Sequence, residues 1–269
     1  MRTPSDARPP LPSTAAHEPL AVWLAGSLRR ADHLAMNERL AGEMAAATGR
    51  LPTLVIAEVE PCITIGRSGS RSDVRMSDDD LAARRLEVSF VGRGGGAVVH
   101  GPGQVVISLV ASLEDLGLGP HDVGGYLGRL QAAVAAAMRA VRCGSAVVWP
   151  GMHGVFGRTG LLAAVGVAVR RGVVSHGAFV NVSPPLDLAH RVDTMPVRLR
   201  SDAHEPVPTT MGSIEADVQR RVRLQDVRTA VVQAVTDAFG FPRIHVNAGV
   251  PFPIRPAAAN PPEIVTRVG

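Results

Sequence analysis

The stretch from Arg93 to Gln104, Arg-Gly-Gly-Gly-Ala-Val-Val-His-Gly-Pro-Gly-Gln, constrains the fold of this chain more than any other. Its three successive glycines admit backbone conformations closed to residues with a Cβ, and they leave room for a ligand to lie against the main chain. Arg93 and His100 bracket them with an anion-binding fork and a titratable imidazole. His100-Gly101-Pro102-Gly103 is a second tight bend, and the apolar run from Val105 to Ala111 behind it reads as a buried strand. No Gly-Lys-Ser/Thr follows, and a strand comes next where a phosphate loop would open a helix, so a nucleotide site of that type is not expected. Taken alone, the stretch suits a plain strand-to-strand connection equally well.

Along the chain, residues 1 to 18 are rich in Pro, Ala, Ser and Thr without a period and predict a disordered lead-in. Ala21 to Leu28 predicts a strand. Asp32 is expected to cap a helix with Met36, Leu40 and Met44 on its apolar face, closed by Gly49. Thr53 to Val59 and Ile63 to Ile65 predict strands around a Glu60-Pro61-Cys62 turn. Ser77 and the acidic triplet Asp78, Asp79 and Asp80 mark a helix start through a variant capping box and the macrodipole, and that helix should end near Arg85. Leu86 to Val91 is the strand that delivers the glycine-rich turn.

A longer helix carries Leu127, Leu130, Val134, Met138 and Val141 at helical spacing and stops at Cys143-Gly144. Four short β-branched runs follow, Ala146 to Trp149, Gly154 to Gly157, Leu161 to Val169 and Val173 to Val182. The last helix spans Leu224 to Phe239 with Gly240 behind it, and the tail from Asn247 is expected to be irregular. With no internal repeat and no linker, these signals predict one α+β domain over residues 19–245, followed by a Pro-rich tail over 246–269.

Aromatic residues make up only 3% of the chain, so Val, Ala and Leu must fill the core. The same scarcity, with no recognition motif, argues against nucleic-acid binding. No run approaches the ~20 apolar residues of a membrane span, and the N-terminus lacks an apolar signal core, so a cytoplasmic protein is expected. Cys62 and Cys143 form no Cys-x-x-Cys spacing and read as buried reduced thiols. All 28 Lys-plus-Arg positions are arginine. Arginine keeps its proton at physiological pH, so it cannot replace a lysine that acts as a base or nucleophile.

Three segments in order, Ile65-Gly66-Arg67-Ser68-Gly69, the Arg93 to Gln104 stretch, and Arg170-Arg171-Gly172-Val173-Val174-Ser175-His176-Gly177-Ala178-Phe179-Val180-Asn181-Val182, resemble the octanoyltransferase family of lipoic acid synthesis. That family lies within the lipoate and biotin protein ligases, and the resemblance covers about residues 50 to 240. It implies an α+β domain with a central mixed or antiparallel sheet flanked by helices, and no cofactor. It also implies that an octanoyl group passes from acyl carrier protein to an enzyme cysteine and then to a lysine of a lipoyl domain, with a family lysine as acid/base partner. The substrate-binding residues it implies are Arg67, Arg93, Gly94, Gly95, Gly96, His100, Gly101, His176, Gly177 and Asn181.

Both reactive positions of the family pattern are lost. The lysine register lands on Leu161, or on Leu162 if slipped by one. Counting back from Gly212-Ser213-Ile214 puts the cysteine near His204, and the tyrosine before the motif histidine is Val99. An apolar Leu161 would widen a greasy pocket, which points to a protein that binds an octanoyl or lipoyl group, or its carrier domain, without an acyl-cysteine. The alternatives are an acyltransferase using His204 as nucleophile, or direct transfer with His100 or His176 handling protons, and an ATP-dependent ligase of lipoate or biotin. His204 also reads as part of a solvated loop, and Cys62, a displaced-nucleophile candidate, as a structural thiol. Acyl carrier protein and lipoyl domains are the expected partners, as acidic proteins suited to an arginine surface.

Overall fold

Continuous Val/Ile/Leu runs need cover on both faces, and in this chain they converge at the centre of one sheet. The computed structural model describes residues 18–46, 49–195 and 210–252. Residues 1–17 of the lead-in expected over 1–18, the loop that carries His204 and the tail beyond residue 252 lie outside the described residues.

The strands are β1 (Leu20–Leu28), β2 (Thr53–Val59), β3 (Cys62–Ile65), β4 (Glu87–Phe90), β5 (Ala97–His100), β6 (Gln104–Ser112), β7 (Gly154–Gly157), β8 (Gly160–Arg170), β9 (Val173–Asn181) and β10 (Ile244–Ala248). The helices are α1 (Arg30–Ala45), α2 (Asp78–Ala83), α3 (Val123–Ala140), α4 (Ile214–Val218) and α5 (Leu224–Phe239). Seven strands form a mixed sheet in the order β10-β1-β2-β6-β9-β8-β7, and a smaller sheet runs β4-β3-β5. In the large sheet β1 is parallel to both its neighbours, and the pairings from β2 to β7 are antiparallel. The expected α+β plan with a mixed sheet flanked by helices is the observed one.

Alternation along β2 shows how the layers form. Leu54 and Ile56 join Leu130, Val134, Met138, Val231, Val235 and Phe239 from α3 and α5 on one face. Val55 and Ala57 join Met36, Leu40 and Met44 from α1 on the other. The period of two in the strand therefore selects which helix layer each side chain meets. Each fully buried Leu or Ile contributes about 1.5–3 kcal/mol against exposure.

Several local expectations change. Asp32 does not cap α1: Arg29 precedes the helix without a side-chain cap, and Asp32 sits in the first turn, ion-paired to Arg29 at 2.7 Å. The helix ends at Ala45, with Ala46 as its C-cap, before Gly49. Ser77 does cap α2, accepting from the Asp80 backbone N–H at 3.1 Å. Ala146 to Trp149 is not a strand and contributes only an isolated bridge from Val147 to Phe156. The tail expected to be irregular from Asn247 instead begins inside β10, which pairs with β1. Its residues are mostly exposed, so it lacks a buried face to read, and its hydrogen bonds come from the far end of the chain. No helix among the described residues is long and apolar enough to cross a membrane.

The glycine-rich loop joins the two sheets. Gly66, Arg67 and Ser68 donate backbone N–H bonds to the carbonyls of Gly96, Arg93 and Gly95, while Gly94 N–H donates to Val167 O in β8 at 2.8 Å. What lies against the three glycines is therefore the chain's own backbone. A Cβ on Gly166 would stand 2.6 Å from Gly94 O, which is closer than van der Waals contact permits. Gly166→Ala is expected to destabilise by about 1–3 kcal/mol through that clash. A lowered urea midpoint with an unchanged m-value would show it; an unaltered midpoint would contradict it.

Candidate functional site

Arg93 is the centre of this junction and is almost wholly buried. Its Nη1 donates to Gly94 O at 3.0 Å and Gly96 O at 3.1 Å, and its Nη2 to Thr64 O at 3.0 Å and Thr64 Oγ1 at 2.7 Å. The fork thus holds the loop onto β3. The guanidinium also lies 5.1 Å from the Phe179 ring centroid. Burial holds its pKa down to about 10, so it remains charged at neutral pH.

From Thr64 a buried relay runs into the large sheet, and its donors fix its direction. Thr64 Oγ1 already accepts from Arg93, so its hydroxyl donates to His100 Nε2 at 2.8 Å. The imidazole proton then sits on Nδ1 and is donated to Gln104 Oε1 at 2.7 Å. Gln104 Nε2 donates to Val99 O and to Asn181 Oδ1, and Asn181 Nδ2 donates to Leu161 O at 3.1 Å. Both ring nitrogens of His100 are engaged. Burial, then the Arg93 charge, hold its pKa at about 3, so it is a neutral structural link at physiological pH.

His176 takes φ 62°, the left-handed region, inside β9. Such a conformation costs a non-glycine residue on the order of 1 kcal/mol or more and marks a constrained position. Its ring is 6.4 Å from that of His33 on α1. Burial, followed by the Arg93 and Arg67 charges, lowers the His176 pKa to about 4; burial, followed by His176 and His100, lowers that of His33 to about 3. No carboxylate is among the causes for either ring.

An apolar cleft of about 280 Å³ opens against His100, Gly101 and Pro102, walled by Leu86, Leu186 and Met211. It lies near the lower end of the volumes that hold small ligands, roughly 300 Å³ and above. His100 also lines a second, tighter cavity with His33, Arg93 and His176.

The site residues inferred from sequence are distributed around this junction. Arg93, His100 and Asn181 are members of the buried network. Gly94, Gly95 and Gly96 form its loop, and Arg67 lies at the surface, donating to Gly92 O at 2.7 Å. Gly101 lines the cleft, and Gly177 packs its backbone on Ile107. Leu161 is fully buried at the start of β8, in an apolar cluster with Met152, Phe156 and Met195. Cys62 is buried and its thiol is pushed up to about 12 by that burial, which suits the structural reading and leaves no thiolate at neutral pH. His204 lies outside the described residues.

Thr64, Gln104, His33, Phe179 and Met195 carry no sequence signal of their own that would have selected them, although Gln104 closes the glycine-rich stretch. Among the described residues no group of three or more His, Cys, Asp or Glu is arranged to hold a metal ion.

Comparison with known proteins matches residues 29–236 to the family described as lipoyl protein ligase A/B catalytic domain. Octanoyltransferase from Geotalea uraniireducens (strain Rf4) is 34% identical over 196 residues, covering 73% of this chain and 82% of that protein. Octanoyltransferase from Leifsonia xyli subsp. xyli (strain CTCB07) is 31% identical over 214 residues, covering 77% and 85%. Among solved structures, lipoate-protein ligase A bound with ATP superposes with TM-score 0.67 at 16% identity, over 85% of this chain and 88% of that one. A bi-partite lipoate protein ligase from Thermoplasma acidophilum gives 0.62 at 18% identity, over 86% and 87%. At these identities the structures speak for the fold.

Proposed function

This chain belongs to the lipoyl protein ligase A/B catalytic domain family, and from that premise we propose that it holds an octanoyl or lipoyl group, or the carrier domain bearing one, without cysteine-and-lysine acyl transfer. It is an octanoyltransferase-like protein of lipoyl metabolism; the absence of the transfer chemistry is the step proposed.

The observation that carries the reading is Leu161, fully buried in an apolar cluster where the resemblance expects the lysine. Transfer through an acyl-cysteine needs a thiolate and a proton shuttle close together. Leu161 occupies the lysine register and packs in one cluster with Met195, which arrives on the segment that returns after β9. A leucine moves no proton, and the sequence contains no lysine that could do so in its place. His100 does not substitute for it, because both of its nitrogens are bonded within the relay. The apolar cleft against His100, Gly101 and Met211 suits an alkyl chain and offers little to polarise a carbonyl.

Incubating the purified protein with octanoyl-acyl carrier protein and an apo lipoyl domain tests this. Mass spectrometry is expected to find no octanoyl adduct on the protein and no octanoyl-lysine above background, while titration detects binding of the octanoylated carrier or of lipoate. Catalysed amide formation would overturn the reading. The His204→Ala variant is expected to give the same background as the unaltered chain, and a drop from a real rate would establish a substituted nucleophile.

A further inference from the structure

A polar cavity of about 380 Å³ opens where the end of α3 meets the β7–β8 turn and α4, and it shares no lining residue with the apolar cleft or with the Arg93 cavity. Arg142, Arg158 and Arg220 line it together with Gly144, Ser145 and Asp217. Asp217 is wholly buried, and both of its oxygens are engaged inside the protein. Oδ1 accepts from the Thr159 backbone N–H at 2.7 Å and from the Thr159 hydroxyl at 3.0 Å. Oδ2 accepts from the Ser145 hydroxyl and lies 3.9 Å from Arg158 Nε. One carboxylate is thus set against three guanidinium groups. The neighbouring Glu215 does not offset the remainder, because it accepts from Val222 N–H at 2.7 Å and lies 3.6 Å from Arg221.

Two of the arginines are anchored through neutral carbonyls. Arg158 Nη2 donates to Asp217 O, while Arg220 donates from Nη2 to Val141 O and from Nη1 to Arg221 O. A carbonyl fixes the position of a guanidinium and leaves it its charge and its other N–H groups. Arg142 takes φ 66°, where glycine would be unstrained, and its side chain makes no hydrogen bond or ion pair among the described residues. Beside it, Gly144 has open space in the direction that a Cβ would take. Neither Gly144 nor Ser145 donates its backbone N–H to a carbonyl among the described residues. Positioned forks in excess of the negative charge select a dianion with several acceptor oxygens, whereas one fork already satisfies a carboxylate.

We propose that this cavity binds a phosphate dianion, free or as the monoester of a small molecule, with its oxygens shared among Arg142, Arg158 and Arg220. The volume lies within the range of small-ligand sites, roughly 300 Å³ and above, so it also admits the group that bears the phosphate. The site is independent of the acyl-holding reading, because the cavity and the apolar cleft have no residue in common.

The test is calorimetric titration of the full chain with sodium phosphate, glycerol 3-phosphate and sodium acetate at constant ionic strength and about pH 7.5, where a phosphate monoester is dianionic. The tighter of the two phosphates is expected to bind at least about tenfold more strongly than acetate, since the monoanion forgoes charge-assisted contacts. Gly144→Asp places a carboxylate in open space without a clash, and Arg142→Asn tolerates the left-handed backbone. Each should weaken phosphate binding at least about tenfold. Tighter binding of glycerol 3-phosphate assigns the site to a phosphorylated small molecule, and tighter binding of inorganic phosphate assigns it to the free ion; both uphold the proposal. Acetate binding as tightly as either phosphate, no binding of either phosphate, or variants that bind as the unaltered chain does overturns it and leaves the acyl-holding reading standing.

Discussion

Lowering the pH from 7 to 5 is expected to cost the folded state about 2 kcal/mol for each of His33, His100 and His176. Their pKa values in the fold are about 3, about 3 and about 4. An exposed histidine in the unfolded chain takes up its proton near pH 6.5, while these buried rings refuse it until far lower. The unfolded state therefore binds more protons throughout that window. Stability is fully present above about pH 6.5 and is lost as the pH falls toward the folded values.

The physical cause is shared. All three rings are desolvated in one region; Arg93 adds positive charge at His100 and His176 and Arg67 at His176, His33 faces the other two rings, and no carboxylate offsets this. Summed over the three, about 6 kcal/mol is comparable with the entire stability of many domains. Urea unfolding followed at half-unit pH steps should show a slope approaching three protons between pH 6 and 5. His100→Gln should remove one proton from that slope, since an amide can still link Thr64 to Gln104. A stability that stays flat from pH 7 to 5 would rule out the buried neutral rings.

Replacing Arg93 by methionine is expected to cost about 3 kcal/mol or more, because it strands buried acceptors. Methionine reproduces the apolar stem but removes the guanidinium bonds to Thr64 O, Gly94 O and Gly96 O, of which Gly96 O retains the Gly66 N–H. Thr64 Oγ1 loses its donor as well, so the direction of the relay through His100 is no longer set. Lysine should rescue only part of the loss, since one ammonium cannot span the two sides that the planar fork joins. Arg67→Ala gives the contrast: this exposed side chain makes one bond to Gly92 O, and its removal should stay within about 0.5 kcal/mol. A penalty below that of Arg67→Ala would refute the bracing role of Arg93.

These two expectations show where reading the chain by itself succeeds and where it stops. The glycine-rich segment is visible because unbroken glycine is rare and local. The helices α3 and α5 are visible because a period of 3.6 needs only neighbouring residues. Arg93 and His100 stand out from the same stretch, yet sequence suggests a fork and an imidazole open to a ligand. In the fold both ring nitrogens of His100 and both terminal nitrogens of Arg93 are bonded within the protein, since Thr64 arrives from β3, Gln104 from β6 and Asn181 from β9. His33 is one polar residue on an amphipathic helix, and only its approach to His176 gives it a role.

By itself, then, the sequence determined the strand and helix alphabet, the family resemblance, and the loss of any lysine for acid/base work, because each is a property of composition or local period. The tertiary structure alone decided that Leu161 meets Met195, that β10 completes the large sheet, and that a buried arginine shares a cavity with three neutral histidines. Those outcomes depend on which strands become neighbours across long stretches of chain. Burial then sets the charge of the groups enclosed between them, and no local pattern carries that information.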